Sequence, residues 1–96
     1  MAAYIIVRIT ITDAEQYKKY LQVALGIIER YGGKAIVRAE KTETLEGEQE
    51  NRRIVVLEFP SIEKAREFYY SNEYQEAKKL RENAATGELM IVEGVD

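Results

Sequence analysis

The chain of 96 residues contains no cysteine, no histidine and no tryptophan, and only one proline. Without cysteine it has no disulfides, no thiolate nucleophile and no iron–sulfur or cysteine-type zinc ligation. Without histidine it lacks the usual general base, the usual haem ligand and the serine–histidine catalytic pair. We therefore expect no metal and no cofactor. Any proton transfer would have to be carried out by a carboxylate, a lysine or a tyrosine. Burial would have to move the pKa of that group towards neutrality.

A basic surplus is also missing, since 14 Lys+Arg stand against 17 Asp+Glu and the net charge is −3. This balance argues against nucleic acid as a partner. No apolar stretch approaches the roughly 18–20 residues needed to span a bilayer. The first apolar run has no basic segment before it and is interrupted by Arg8, so we expect neither a signal peptide nor a membrane partner, and a cytoplasmic location.

A chain of this length predicts one small domain, residues 1–96, with a thin core. Aliphatic and β-branched residues are concentrated in four segments that predict strands, namely residues 3–11, 34–40, 53–59 and 88–94. Pro60 follows the third segment and ends it because proline has no N–H to donate to a sheet. The polar, charged stretch 40–53 around Gly47 predicts a long exposed connection.

Two regions between the strands predict helices. Apolar residues at spacings of three and four from Tyr17 to Tyr31 share one helix face. Thr12 and Glu15 fit a capping box at the start of this helix, and Gly32-Gly33 predicts its end.

The second helical region begins at Ser61, a favourable N-cap residue. It is interrupted at Ser71-Asn72, where Asn72 and Gln75 form a new start signal, and it ends near Gly87. The order strand, helix, strand, strand, helix, strand is that of ferredoxin-like α+β folds. Such folds have a four-stranded antiparallel sheet with helices on one face.

The strands do not alternate cleanly between apolar and polar residues. The first strand carries apolar side chains on one face: Ile5, Val7, Ile9 and Ile11. Its other face is only partly polar: Tyr4, Ile6, Arg8 and Thr10. Because the helices cover one face, the second would expose an apolar patch. We therefore predict a homodimer built sheet on sheet. The alternative is a monomer in which the 40–53 connection covers that face.

Several short motifs occur in order along the chain: Tyr-Gly-Gly at 31–33, Arg38, Leu45-Glu46-Gly47, Leu57-Glu58-Phe59-Pro60-Ser61, Ala65, Phe68-Tyr69, Ser71, Glu73-Tyr74-Gln75 and Arg81. Over nearly the whole chain this set resembles the small bacterial family known as domain of unknown function 1330. The resemblance implies a ferredoxin-like protomer of the dimeric α+β barrel superfamily. That superfamily includes cofactor-independent monooxygenases, isomerases, haem-degrading enzymes and small-ligand sensors, so a scaffold is implied rather than a reaction.

The chain departs from the pattern of that family at two places. Many members carry an aromatic residue and a proline in the connection before the third strand, where this chain has Glu48-Gln49-Glu50-Asn51-Arg52. Many also have proline at the position of Asn72. An aromatic pocket wall contributed by that connection is therefore not expected here.

Strand alternation places Arg8 and Tyr4 on the face away from the helices, with Glu58 beside them and Arg38 as a possible fourth member. Three interpretations stay open. Arg8 and Glu58 form an ion pair that fixes the register of a dimer, or they form the polar end of an apolar pocket that binds a carboxylate or enolate. The third is that the strand register differs from the expected one.

Most tyrosines lie on helix faces, where packing explains them. Tyr74 follows the helix interruption, where its hydroxyl either donates to a ligand or anchors the helix. We expect a dimeric α+β barrel that binds a small organic molecule, with a carboxylate as candidate group, between sheet and helices.

Two alternatives remain for the function. One is a cofactor-independent monooxygenase-like or isomerase-like enzyme, with Glu58 as acid or base and Arg8 or Arg38 as electrostatic clamp. The other is a dimeric structural domain without a pocket.

Overall fold

The computed structural model describes residues 1–95. Its elements in chain order are β1 (Ala3–Ile11), α1 (Ala14–Arg30), β2 (Lys34–Ala39), β3 (Arg53–Phe59), α2 (Ile62–Tyr70), α3 (Asn72–Glu82) and β4 (Ala85–Glu93). The four strands form one antiparallel sheet in the order β2-β3-β1-β4. The helices lie on one side of it, so the predicted ferredoxin-like α+β fold is confirmed.

Helix α1 begins one residue later than the predicted capping box. Its N-cap is Asp13, whose side chain accepts a hydrogen bond from the backbone N–H of Gln16 at 3.1 Å. The prediction of Thr12 as the cap was wrong because Thr12 still belongs to the connection, where its N–H donates to the Ala84 carbonyl at 2.8 Å.

The interruption between α2 and α3 is confirmed, but its cap is Ser71 rather than Asn72. The Ser71 hydroxyl donates to the Phe68 carbonyl at 2.7 Å and accepts from the Tyr74 N–H at 3.0 Å. One side chain therefore ends α2 and begins α3. The predicted N-cap at Ser61 is confirmed, since Ser61 accepts from the Lys64 N–H at 3.2 Å.

Strand β4 begins three residues earlier than predicted. Ala85, Thr86 and Gly87 already pair with Ile11, Thr10 and Ile9 of β1. The prediction treated Gly87 as the end of a helix, whereas it lies within the ladder. A Cβ atom at this position would lie 2.8 Å from the Ile9 Cα and would overlap the Arg8 carbonyl oxygen. The glycine therefore permits a close approach of two strands.

The core lies between the sheet and the helices. On β1, Ala3, Ile5, Val7 and Ile9 are buried and alternate with partly exposed residues. They pack against buried side chains of the helices and β3: Tyr17, Tyr20, Ala24, Ile27, Ile28, Leu57, Phe59, Ala65, Phe68, Tyr74 and Ala77. Within residues 1–95 no charged residue is buried.

The opposite side of the sheet, here called the open face, is not covered by a helix. The strand register assigns to it Tyr4, Ile6, Arg8, Thr10, Lys34, Val37, Ala39, Ile54, Val56, Glu58, Thr86, Glu88, Met90 and Val92. The Cα atoms extend over only 36 × 32 × 16 Å, which corresponds to one helix layer on one sheet layer. The connection between β2 and β3 leaves Val37 39% and Met90 43% exposed, so it does not cover this face.

Candidate functional site

The five residues selected from the sequence occupy three separate places. Tyr74 is buried on the helix side of the sheet. Tyr4, Arg8 and Glu58 share the open face, as the alternation predicted, with Tyr4 and Glu58 towards one end and Arg8 towards the other. Arg38 lies with neither group. Apart from Arg38, the candidate residues therefore belong to two different sites, one on the open face of the sheet and one in the core on the helix side. Each site has its own geometry.

Arg38 is displaced by an irregularity in β2. The pairing of β2 with β3 shifts between Ala35 and Val37, so that Arg38 lies opposite Val55 rather than opposite an open-face residue. An extra residue in a strand reverses the alternation beyond it. Arg38 therefore lies exposed on the helix side of an edge strand and does not join Arg8 and Glu58.

One end of the open face carries Tyr4 opposite Glu58. The Glu58 carboxylate lies 3.5 Å from Lys34 Nζ, in a pair whose lysine is 71% exposed. An exposed pair of this kind contributes little to stability. Glu58 therefore forms its ion pair with Lys34, not with Arg8.

The other end carries a charged cluster that the sequence did not predict. Arg52 donates from Nε and Nη2 to the two carboxylate oxygens of Glu50, at 3.1 and 2.9 Å. Its Nη1 donates to Glu88 at 2.6 Å. Hydrogen bonding from Arg52 lowers the pKa of both carboxyls, and Arg8 adds a smaller lowering through its charge. The sequence contained one indication of this cluster: Arg52 precedes Ile54 by two residues and therefore lies on the same face of the sheet as Arg8.

A cavity of about 50 Å³ lies on the helix side, enough for a few water molecules. The sheet contributes Ile5, Val7, Val55, Leu57 and Leu89, and the helices contribute Tyr17, Tyr20, Leu21, Ala24, Leu25, Ile28, Phe68, Tyr74 and Arg81. The wall is apolar apart from the tyrosine hydroxyls and the arginine. This lining resembles that of small-molecule sites, but such sites are about 300–1,000 Å³, so a ligand larger than a few water molecules must extend beyond this cavity or separate its walls.

The polar part of this cavity joins α1 to α3. The Tyr20 and Tyr74 hydroxyls are hydrogen-bonded at 2.8 Å, and Arg81 Nη2 donates to the Tyr74 hydroxyl at 3.4 Å. The guanidinium carbon lies 5.7 Å from the centre of the Tyr20 ring, within the range of a cation–π contact. Arg81 Nε is buried and has no partner among residues 1–95.

Burial favours the protonated form of Tyr20 and of Tyr17, which also lines the cavity. It raises the pKa of Tyr20 far above its usual value, and the neighbouring Tyr74 raises it further. It also raises the pKa of Tyr17. Both hydroxyls therefore stay protonated near neutral pH. Tyr20 was assigned to packing from its place on the helix face, and only the three-dimensional structure shows that its hydroxyl meets Tyr74.

A four-stranded antiparallel sheet with helices on one side defines a ferredoxin-like α+β protein. The chain belongs to the family described as Domain of unknown function (DUF1330), whose model matches residues 2–95.

Solved structures share this fold. RPA0582, a protein of unknown function from Rhodopseudomonas palustris, is 23% identical with a TM-score of 0.79, over 99% of this chain and 83% of that one. SnoaB, a cofactor-independent oxygenase from Streptomyces nogalater, is 10% identical with a TM-score of 0.70, over 99% and 94% of the two chains. No curated protein matches the sequence. Within residues 1–95, no helix combines the length and apolar character that crossing a membrane requires.

Proposed function

We propose that this protein binds a small organic molecule in the cavity between the sheet and the helices. The supporting observation is the wall of that cavity, where the hydroxyls of Tyr20 and Tyr74 and the guanidinium of Arg81 meet among apolar side chains. An apolar wall provides affinity by removing ligand surface from water, and a few fixed polar groups provide orientation. Tyr74 then has both roles considered for it, as anchor of α3 and as ligand contact.

Titration calorimetry with phenol and benzoate tests this proposal, using two adjacent valines of β3. Val55 lines the cavity, whereas Val56 lies on the open face. Val55→Ile adds one methylene to the cavity wall and should weaken binding several-fold. Val56→Ile makes the same chemical change on the other side of the sheet and should leave the affinity within twofold. If neither phenol nor benzoate binds at millimolar concentration, the proposal is contradicted. The alternative of a structural domain without a pocket then stands.

We also propose that the open face binds a second copy of this chain. Ile6, Val56 and Met90 are adjacent across three strands, and ion pairs lie at both ends of this apolar band. Four strands about 4.8 Å apart and about seven residues long cover roughly 450 Å². Two pleated faces of that size bury on the order of 1,000 Å², which is close to the minimum for a biological interface.

In such a dimer Tyr4, Arg8 and Glu58 lie at the interface between the two sheets. Their charges must then be paired or hydrated, because burying an unpaired charge is costly. The Lys34–Glu58 pair meets this requirement at one end; at the other, Arg8 forms no ion pair among residues 1–95 but lies near Glu50 and Glu88, and water must complete its hydration. Sedimentation at micromolar concentration should give twice the chain mass of 11.1 kDa. A single species at the chain mass contradicts the dimer.

Turnover within the same cavity is a second candidate function. Arg81 and the two tyrosine hydroxyls are donors that could stabilise negative charge developing on a bound oxygen atom. Glu58 lies on the other side of the sheet, so it could act as acid or base only on a ligand held between two copies. Incubation of phenol with the protein in air, followed by mass spectrometry, should show 1,4-benzoquinone, formed as one atom of O₂ enters the ring and the other leaves as water, and Tyr74→Phe should reduce this product at least tenfold. An unchanged phenol spectrum contradicts turnover of this probe class.

A further inference from the structure

We propose that Arg81 selects ligands carrying an oxyanion, namely a carboxylate, an enolate or a phenolate, attached to an apolar body. This inference rests on the proposed binding of a small molecule in the helix-side cavity. It specifies the chemical group of the ligand that contacts the polar end of that cavity. Three observations on residues 1–95 support it: the charge of Arg81 has no counter-ion among them, its Nε–H has no acceptor among them, and the tyrosine hydroxyls beside it have one O–H left to donate.

The positive charge of Arg81 is not compensated within residues 1–95. Seven ion pairs form among these residues, and Arg81 takes part in none of them. The carboxylates of Glu73 and Glu58 are paired with other residues, since Glu73 pairs with Arg30 at 2.6 Å and Glu58 with Lys34. Within residues 1–95 the guanidinium of Arg81 has hydrogen-bond contacts only with tyrosine hydroxyls, and it donates to Tyr74 at 3.4 Å.

The hydrogen-bonding groups at this end of the cavity are mainly donors. Arg81 offers its buried Nε–H, which has no acceptor among the described residues. The Tyr20 and Tyr74 hydroxyls carry two protons and share one hydrogen bond, so one O–H remains free whichever hydroxyl donates. A guanidinium has no acceptor atom at all.

A ligand group that matches this arrangement accepts hydrogen bonds and carries negative charge. Carboxylates and related oxyanions do both, and their hydrogen bonds with arginine are stronger than those between neutral groups. A neutral amide of the same shape carries no charge, and its N–H donors would have only the tyrosine oxygens as acceptors among the described residues at this end of the cavity. The remaining wall is aliphatic and aromatic, so the rest of the ligand must be apolar.

Matched pairs of probes test the inference. Benzoate is compared with benzamide, and butyrate with butyramide, by titration calorimetry at neutral pH. The parent protein should bind each carboxylate about tenfold or more tightly than the matching amide. Arg81→Gln should abolish this preference, and Arg81→Lys should retain part of it. Arg66→Gln, at an exposed arginine of α2, is the matched control and should leave the preference unchanged.

The outcomes separate this inference from the proposed function. Equal affinity for carboxylate and amide, or tighter binding of the amide, overturns the inference while small-molecule binding stands. Absence of binding of all four probes overturns both. The comparison of probes on the parent protein does not depend on whether Arg81→Gln folds. A preference that survives in a folded Arg81→Gln protein also overturns the inference.

Discussion

The hydroxyl of Tyr20 on α1 lies 2.8 Å from the hydroxyl of Tyr74 on α3. The two rings meet edge to face with centroids 6.3 Å apart. Both side chains are buried, at 8% and 1% exposure. This pair has two consequences, since it ties two helices that are distant in sequence and forms the polar end of the cavity.

Removing either hydroxyl of this pair should destabilise the protein. Tyr74→Phe leaves the buried Tyr20 hydroxyl without its partner, and Tyr20→Phe leaves the Tyr74 hydroxyl with only the bond from Arg81, so each should lower the free energy of unfolding by about 1–2 kcal/mol. The double variant should lose less than the sum because no orphaned hydroxyl remains. Urea denaturation of the four proteins measures this cycle. Strictly additive losses would show that the hydroxyls are not coupled.

Arg52 should make stability depend on pH in the acidic range. Its hydrogen bonds lower the folded-state pKa of Glu50 and Glu88, so these carboxylates stabilise the folded protein above their ordinary pKa. The contribution is lost as the pH falls through the lowered folded-state values. Arg52→Gln should raise the pKa of both carboxyls in an NMR titration, and its melting temperature should approach that of the parent below about pH 4.

Arg53→Gln is the control for that experiment. Arg53 pairs with Glu40 at 3.3 Å and contacts neither Glu50 nor Glu88 at ion-pair distance. Its replacement should leave the NMR pKa values of both carboxyls in place. If Arg52→Gln also leaves them in place, the charged cluster at that end of the open face does not exist in solution.

Two glycines should respond in opposite ways to the same substitution. Gly87→Ala places a Cβ against the Arg8 carbonyl and the Ile9 backbone, so it should destabilise the protein by about 1–3 kcal/mol. Gly26 lies in α1 with nothing within 4 Å of its Cβ position. Gly26→Ala should therefore stabilise it by about 0.5–1 kcal/mol, the helix-propensity difference. Chemical denaturation checks both, and a stable Gly87→Ala protein would contradict the β1–β4 register.

A charge on the open face should separate the proposed dimer. Val56→Glu puts a carboxylate in the middle of the apolar band, where a second copy would desolvate it. It should convert the dimer to monomer in sedimentation while the circular dichroism stays native. Val23→Glu makes the same change at a 46% exposed position of α1 and should leave the dimer intact. A dimer that tolerates Val56→Glu does not use this face.

Local patterns were sufficient to predict the fold. The period of the apolar residues located both helical regions and most strands, and Ser61 and Ser71-Asn72 marked the boundaries of the second region. Errors arose where tertiary pairing decides the outcome. A glycine such as Gly87 is typical of a helix end, but this one pairs within β4. The β2 irregularity that turns Arg38 to the other side of the sheet has no clear signal in Lys34–Ala39.

The candidate site was less predictable because its members are distant in sequence. Tyr4, Arg8 and Glu58 follow from simple alternation along two strands, and they do share a face. Tyr20, Tyr74 and Arg81 come from two helices whose relative placement no periodicity specifies. Arg52 was assigned to a solvated connection, although it continues the alternation of β3 and reaches Glu88 across β1.

The central claim is that a small molecule binds on the helix side of the sheet, and methyl NMR during a benzoate titration tests it most directly. Val7, Val55, Leu57 and Leu89 line the cavity, whereas Ile6, Ile54, Val56 and Met90 lie on the open face. The claim predicts saturable shifts of the cavity methyl groups while those of the open face stay in place. Shifts confined to the open face, or no shifts at all, would contradict it.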